Sequence, residues 1–198
     1  MVLASGGVPR DFMVLGSLAI QVARERSNAK AARVQDVNEA AGRNAQPKLQ
    51  ELEDDAASSI GSANARKDAL TSIRAFLLDQ RQTTYFRVDF RDKEVHQREY
   101  DLLQSLMDLR LIHLINSSVS DERLAGHRSE VYMLDLSQFA SSRFKRNIRV
   151  LDFVNNHLVL KSTGAGSDVR PGDTPNKLLG ILRRGPAFEL SNFTPFVT

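Results

Sequence analysis

Between Gln80 and Arg91 the hydrophobic period of this 198-residue chain changes from helical to alternating, and that switch limits the possible folds more than any other feature. Before it, Leu70, Ile73, Phe76 and Leu77 form the stripe of an amphipathic helix, with Arg66, Lys67, Asp68, Arg74 and Asp79 on the remaining surface. After it, Phe86, Val88 and Phe90 alternate with Arg87, Asp89 and Arg91, which predicts a half-buried strand from Tyr85 to Arg91. A helix is expected next, Val95 to Leu109, with Leu102, Leu103, Leu106 and Leu109 turned inward, running directly into a strand from Leu111 to Ile115. A polar loop, Asn116 to Ser129 with Gly126 inside it, leads to a partner strand from Val131 to Leu136.

Helix, strand, helix and a two-stranded hairpin with a long polar tip is the order of a winged helix, the hairpin being the wing. The chain is therefore expected to be mainly α with a small β-hairpin, its winged-helix (helix-turn-helix) domain spanning residues 84–160. Ahead of it, a helix is predicted from Pro9 to Arg26 with Phe12, Leu15, Gly16, Ala19, Val22 and Ala23 on one face. A short second helix fits Val34 to Ala41, where Gly42 supplies a stop, and the pair occupies residues 1–46. Residues 47–83 are read as a helical connector, broken at Ser58-Ser59-Ile60-Gly61-Ser62, that also supplies the first helices of the winged domain. Phe139, Phe144, Ile148, Leu151, Phe153 and Val154 belong to short elements closing that domain. Residues 161–198 then hold a linker, Ser162 to Asp173, and a short helix, Asn176 to Arg184, capped by Thr174-Pro175 and stopped by Gly185-Pro186. That helix is expected to cap the winged domain's core through Leu178, Leu179 and Leu182.

Composition narrows function only a little. Lys+Arg outnumber Asp+Glu by 27 to 24, and the excess is late: residues 141–198 carry nine basic and four acidic side chains, residues 101–140 three and six. A basic final third leaves a polyanion partner open. The absence of cysteine excludes disulfides and thiolate metal sites. Phe12 to Ala23 follows Arg10 and Asp11 and has no small-residue cleavage site after it, and no run approaches the roughly 18 apolar residues of a membrane span. A cytoplasmic protein without a membrane partner is expected. Neither Gly6-Gly7 nor Gly164-Ala165-Gly166-Ser167 is followed by the Gly-Lys-Ser/Thr of a phosphate loop, and no nucleophile elbow occurs. His96, His113, His127 and His157 lie too far apart in sequence to suggest a local metal site. On its own the chain is not expected to be an enzyme.

The sharpest motif lies at the start. Ser5-Gly6-Gly7-Val8-Pro9-Arg10-Asp11-Phe12 is a glycine turn opening a helix, with an arginine where a helix N-terminus attracts phosphate. Together with Val34 and Asp36-Val37-Asn38-Glu39-Ala40-Ala41 downstream, it resembles the helical lid of AAA+ and related STAND P-loop ATPases. In that superfamily the arginine of a glycine-proline-arginine turn, called sensor 2, reaches the terminal phosphate of ATP. The resemblance thus implies a cofactor-binding role for Gly7, Pro9 and Arg10. Lid helices followed by a winged helix are similar to the origin-recognition-type initiators, and the resemblance covers roughly residues 5–140. It implies a C-terminal regulatory and interaction region, with ATP or ADP and magnesium held by an ATPase core that is missing from this chain or separate. The chain alone is expected to hold no cofactor.

Two other classes stay open: a stand-alone winged-helix DNA-binding regulator and a protein-interaction adaptor. For duplex DNA, the helix from His96 to Leu109 would enter the major groove and the wing would follow the phosphates. Candidate contacts are His96, Gln97, Arg98, Asp101 and Gln104 on the helix, with Arg123, His127 and Arg128 on the wing. Glu99, Asp101 and Asp108 counter Arg98, which dilutes phosphate attraction. The densest basic run is Arg143-Phe144-Lys145-Arg146-Asn147-Ile148-Arg149, and Arg143, Lys145 and Arg146 are nucleic-acid candidates from it.

Overall fold

The computed structural model describes residues 9–26, 29–58, 60–122, 124–135, 148–152, 157–160 and 176–197. Helix α1 (Pro9–Glu25) begins at Pro9, whose missing N–H has no partner to lose in a first turn. It packs on α2 (Val34–Ser58) through small side chains, Ala19, Val22 and Ala23 against Ala40, with Ala41 and Ala45 also buried. Two features depart from the sequence reading. Phe12 is 38% exposed, and Asp11 takes the inward position in its place. Gly42 does not stop α2, which continues through Pro47 to Ser58, because Ala40, Ala41, Ala45 and Lys48 keep burying the same side. That burial outweighs the cost of about 1 kcal/mol that an interior glycine carries relative to alanine. The turn into α2 is tied by Asp36, which accepts from the Arg33 N–H at 2.6 Å and from the Arg26 guanidinium.

Next in the chain, α3 (Ile60–Arg74) leads into a widened π-helical stretch, Ala75–Arg81. Gln82, at φ 51°, ends it with its N–H on the Leu77 carbonyl. Strand β1 (Tyr85–Asp89) follows, and is shorter than the alternation suggests. The Asp89 carboxylate accepts from the Arg91 N–H and so caps a separate helix, α4 (Phe90–Val95), which removes Phe90 and Arg91 from the strand. The single helix expected over 95–109 therefore divides at His96 into α4 and α5 (Gln97–Asp108). Arg110, at φ 56°, turns the chain into β2 (Ile112–Ser120), and β3 (Arg128–Leu134) returns. The hairpin is longer and its tip shorter than expected, because β2 continues through register shifts between Leu114 and Val119.

The β2–β3 hairpin is part of a three-stranded antiparallel sheet in the order β1-β3-β2, with Phe86 opposite Tyr132 and Ile112 opposite Leu134. Both faces of this sheet are covered. On one lie Phe86, Val88, Tyr132 and Leu134, packed by Leu70, Ile73 and Leu77 from below and Leu103 and Leu106 of α5. On the other lie Tyr85, Val131 and Met133, packed by Val119, Leu151 and the Ile181 and Leu182 side chains of α6 (Asn176–Arg183). The last helix thus packs on the sheet, with Leu182 inside, Leu178 partly buried and Leu179 exposed.

Short strands β4 (Arg149–Asp152) and β5 (His157–Leu160) pair with each other. The run 139–147 and the linker 162–173 lie outside the described residues. Past α6 the sequence analysis foresees nothing, yet the chain there completes the core. Arg87 donates its N–H to Pro186 and accepts from the Phe188 N–H, both at 2.8 Å, so residues 186–188 run parallel along β1. Phe188 then packs against Phe76, Phe86 and Phe193, the last from a 3₁₀ segment, Leu190–Phe196. This strap explains why Arg87, expected on the solvent side, is buried. The described residues are thus mainly helical around a small antiparallel sheet, and among them no helix is long and apolar enough to cross a membrane.

Candidate functional site

The helix expected to read DNA is held from behind by a polar network. Lys93 of α4 reaches Glu130 of β3 at 2.7 Å while lying over the Tyr100 ring, and the Tyr100 and Tyr132 hydroxyls donate to the same carboxylate. Burial, and then the Glu130 and Tyr100 partners, push the Tyr132 hydroxyl far above the ordinary phenol range. What this firmly placed helix offers outward is balanced charge. Gln97, Arg98, Asp101 and Asp108 are exposed, Gln97 donates to Asp101 at 3.0 Å, and Gln104 is half-buried. Glu99 is not part of that face: it is buried and accepts from the Thr194 hydroxyl at 2.8 Å. His96 sits between Asp92 and Glu99 at 3.7 and 3.6 Å, and His127 bonds Asp89 at 2.9 Å, so both have carboxylate partners inside the fold. Arg128 is exposed at the start of β3. Gly7, Arg123, Arg143, Lys145 and Arg146 fall outside the described residues.

Arg10 is exposed at the first turn of α1, one residue after Pro9, while its neighbour Asp11 enters a buried ion cluster. There Lys48 of α2, 8% exposed, bridges Asp11 at 3.2 Å and Asp135, just past β3, in a closer contact. Its ammonium also points at the Arg110 carbonyl at 3.4 Å, the Arg110 guanidinium lies 3.9 Å from Asp11, and His113 Nε2 lies 3.9 Å from Asp135. Asp11, His113 and Asp135 present ligand atoms within 4.8 Å of one another, the spread of a metal site. The Lys48 ammonium bridges the two carboxylates and so supplies the positive charge a cation would bring. The cluster is best understood as an ionic clasp joining the helical pair to the sheet domain. Sequence reading missed all five residues, since they come from four separate stretches; the one local signal is a lysine on the inner face of a helix.

A second constellation, also unforeseen, lies where the strap meets the β2–β3 hairpin. An open cleft of roughly 480 Å³ is lined by Arg81, Arg87, Arg149, Arg183 and Arg184, against Asp121, Glu122 and Glu189, with Gly185-Pro186-Ala187 along it. Arg87 is anchored, donating through Nε to the Gly185 carbonyl at 2.8 Å and reaching Asp121 at 2.7 Å. A Cβ on Gly185 would lie 2.8 Å from the Tyr85 ring and 3.3 Å from the Arg87 side chain, so glycine is what allows this approach. Burial raises the Tyr85 hydroxyl above the ordinary phenol range, against the pull of Arg149, Arg184 and Arg87, whose positive potential reaches it. Arg149 is the described end of the basic run noted in the sequence.

No protein-family model matches the chain, and neither does any curated protein or solved structure.

Proposed function

We propose that the chain is a winged-helix regulatory and interaction module, whose clasped helical pair couples the nucleotide state of a P-loop ATPase core outside these residues to a partner. The strand order supports the winged-helix reading: a helix precedes β1, α4 and α5 occupy the connection from β1 to β2, and β3 returns between them. The observation that carries the coupling is the Lys48 clasp. It joins α1, α2 and the end of β3 through one buried ammonium, so a force on the first turn of α1 is passed to the sheet domain rather than absorbed. Arg10 stays exposed beside the clasp residue Asp11, where a phosphate on another body could meet it.

Capture of the tagged full chain from its native extract, followed by mass spectrometry, tests this. A P-loop ATPase should be recovered, as a longer form of the polypeptide or as a separate subunit. Arg10→Ala should leave capture intact and slow ATP turnover by about tenfold, the effect of losing one charge-assisted contact of about 1.4 kcal/mol. Recovery of partners without any P-loop protein, or turnover unaffected by Arg10→Ala, refutes the coupling.

A further inference from the structure

We infer that the arginine cleft, and not the exposed face of α5, is where this protein meets the phosphate backbone of duplex nucleic acid. Five arginines line the cleft against three carboxylates. Of the five guanidinium groups lining the cleft, Arg87 is paired with Asp121, and Arg184 lies 3.7 Å from Glu122. Among the described residues, Arg81, Arg149 and Arg183 have no carboxylate within ion-pair distance. Two of the three are held in place: the Arg81 guanidinium lies 5.3 Å over the Phe76 ring, and Arg149 donates to the Arg81 carbonyl at 3.2 Å. The buried Nε of Arg183 has no acceptor among the described residues. Ordered like charges and an unsatisfied donor around one open cavity are a site prepared for an anion.

The shape and lining select the anion. Among the described residues no aromatic side chain lines the cleft, which favours a strand whose bases stay paired over one that must stack an unpaired base. Open to solvent and lined by planar forks, it suits the phosphates of a strand whose bases remain paired. The outward face of α5, by contrast, sets Arg98 against Asp101 and Asp108. This inference does not rest on the ATPase coupling, and either can fail alone.

The test is fluorescence anisotropy of the full chain with a labelled duplex of about 20 base pairs, over a salt series. Two or three neutralised phosphates give a slope of about −1.8 to −2.7 in log K against log salt, so affinity should fall roughly 10- to 40-fold between about 50 and 200 mM. Arg149→Gln and Arg183→Gln should each weaken binding at low salt and reduce the slope by about 0.9. Arg149→Lys should retain the slope, since a point charge still displaces a counter-ion, and Arg98→Gln should change neither quantity. Loss of binding with Arg98→Gln but not with the cleft variants overturns the inference. So does a polyglutamate peptide that competes as well as the duplex, which would assign the cleft to an acidic protein segment, or an absence of binding at low salt.

Discussion

Replacing Lys48 by methionine isolates the clasp, since methionine keeps the length of the side chain and removes only the charge. At an effective dielectric constant of about 20, the 3.2 Å contact with Asp11 corresponds to about 5 kcal/mol of gross attraction, with at least as much for the closer contact with Asp135. Relief of the ammonium's own desolvation offsets much of this. What remains is the cost of taking the bridging cation away from two carboxylates that are 4% and 1% exposed, about 3–5 kcal/mol. For a chain of this size that lowers the melting temperature by roughly 6–20 °C. Scanning calorimetry of wild type and variant at neutral pH should show it. Adding Asp135→Asn to Lys48→Met should recover part of the loss. Strict additivity of the two substitutions, or a Lys48→Met protein as stable as wild type, would show that the ammonium is not the cation those carboxylates require.

Two further outcomes test the packing. Phe188→Ala removes the ring at the centre of the Phe76, Phe86 and Phe193 cluster and should cost about 3–5 kcal/mol in urea unfolding, with α6 still helical by hydrogen exchange. Burial holds the Tyr85 and Tyr132 hydroxyls protonated in the folded state beyond the point at which the unfolded chain ionises, so their contribution is complete below pH of about 10 and is lost as pH rises above it. Tyr132→Phe should flatten that fall, read as urea midpoints between pH of about 10 and 11.

The elements were legible wherever the chain spoke in a single period. The stripe of Leu70, Ile73 and Leu77, the inward leucines of α5 and the alternation from Tyr85 led directly to the observed core. Boundaries failed where one side chain decides them, as when Asp89 caps α4 and shortens β1. Gly42 reads as a stop, but its local cost is overridden by the burial of Ala45 and Lys48 beyond it. The charged sites were less visible for a deeper reason. Asp11, Lys48 and Asp135 meet across 37 and 87 residues, and the cleft arginines across about a hundred, so no window of sequence contains either site. Arginine on the polar side of a strand also reads as solvated, and Arg87 is not, because the strap that covers it lies 98 positions away.

That strap has a consequence for how the protein comes into being. Until residues 186–188 have been made and have returned to β1, one edge of the central sheet is unpaired and the Phe86 ring lacks its Phe188 neighbour. The contact closes a loop of about a hundred residues, which places it among the slow, non-local steps of folding. During synthesis the sheet domain therefore passes through a stage with a sticky edge and an incomplete aromatic cluster, a stage at which another copy's strand competes with the chain's own. The C-terminal strap acts as an internal chaperone for β1, and proteins cut short before Pro186 should be lost to aggregation rather than merely weakened.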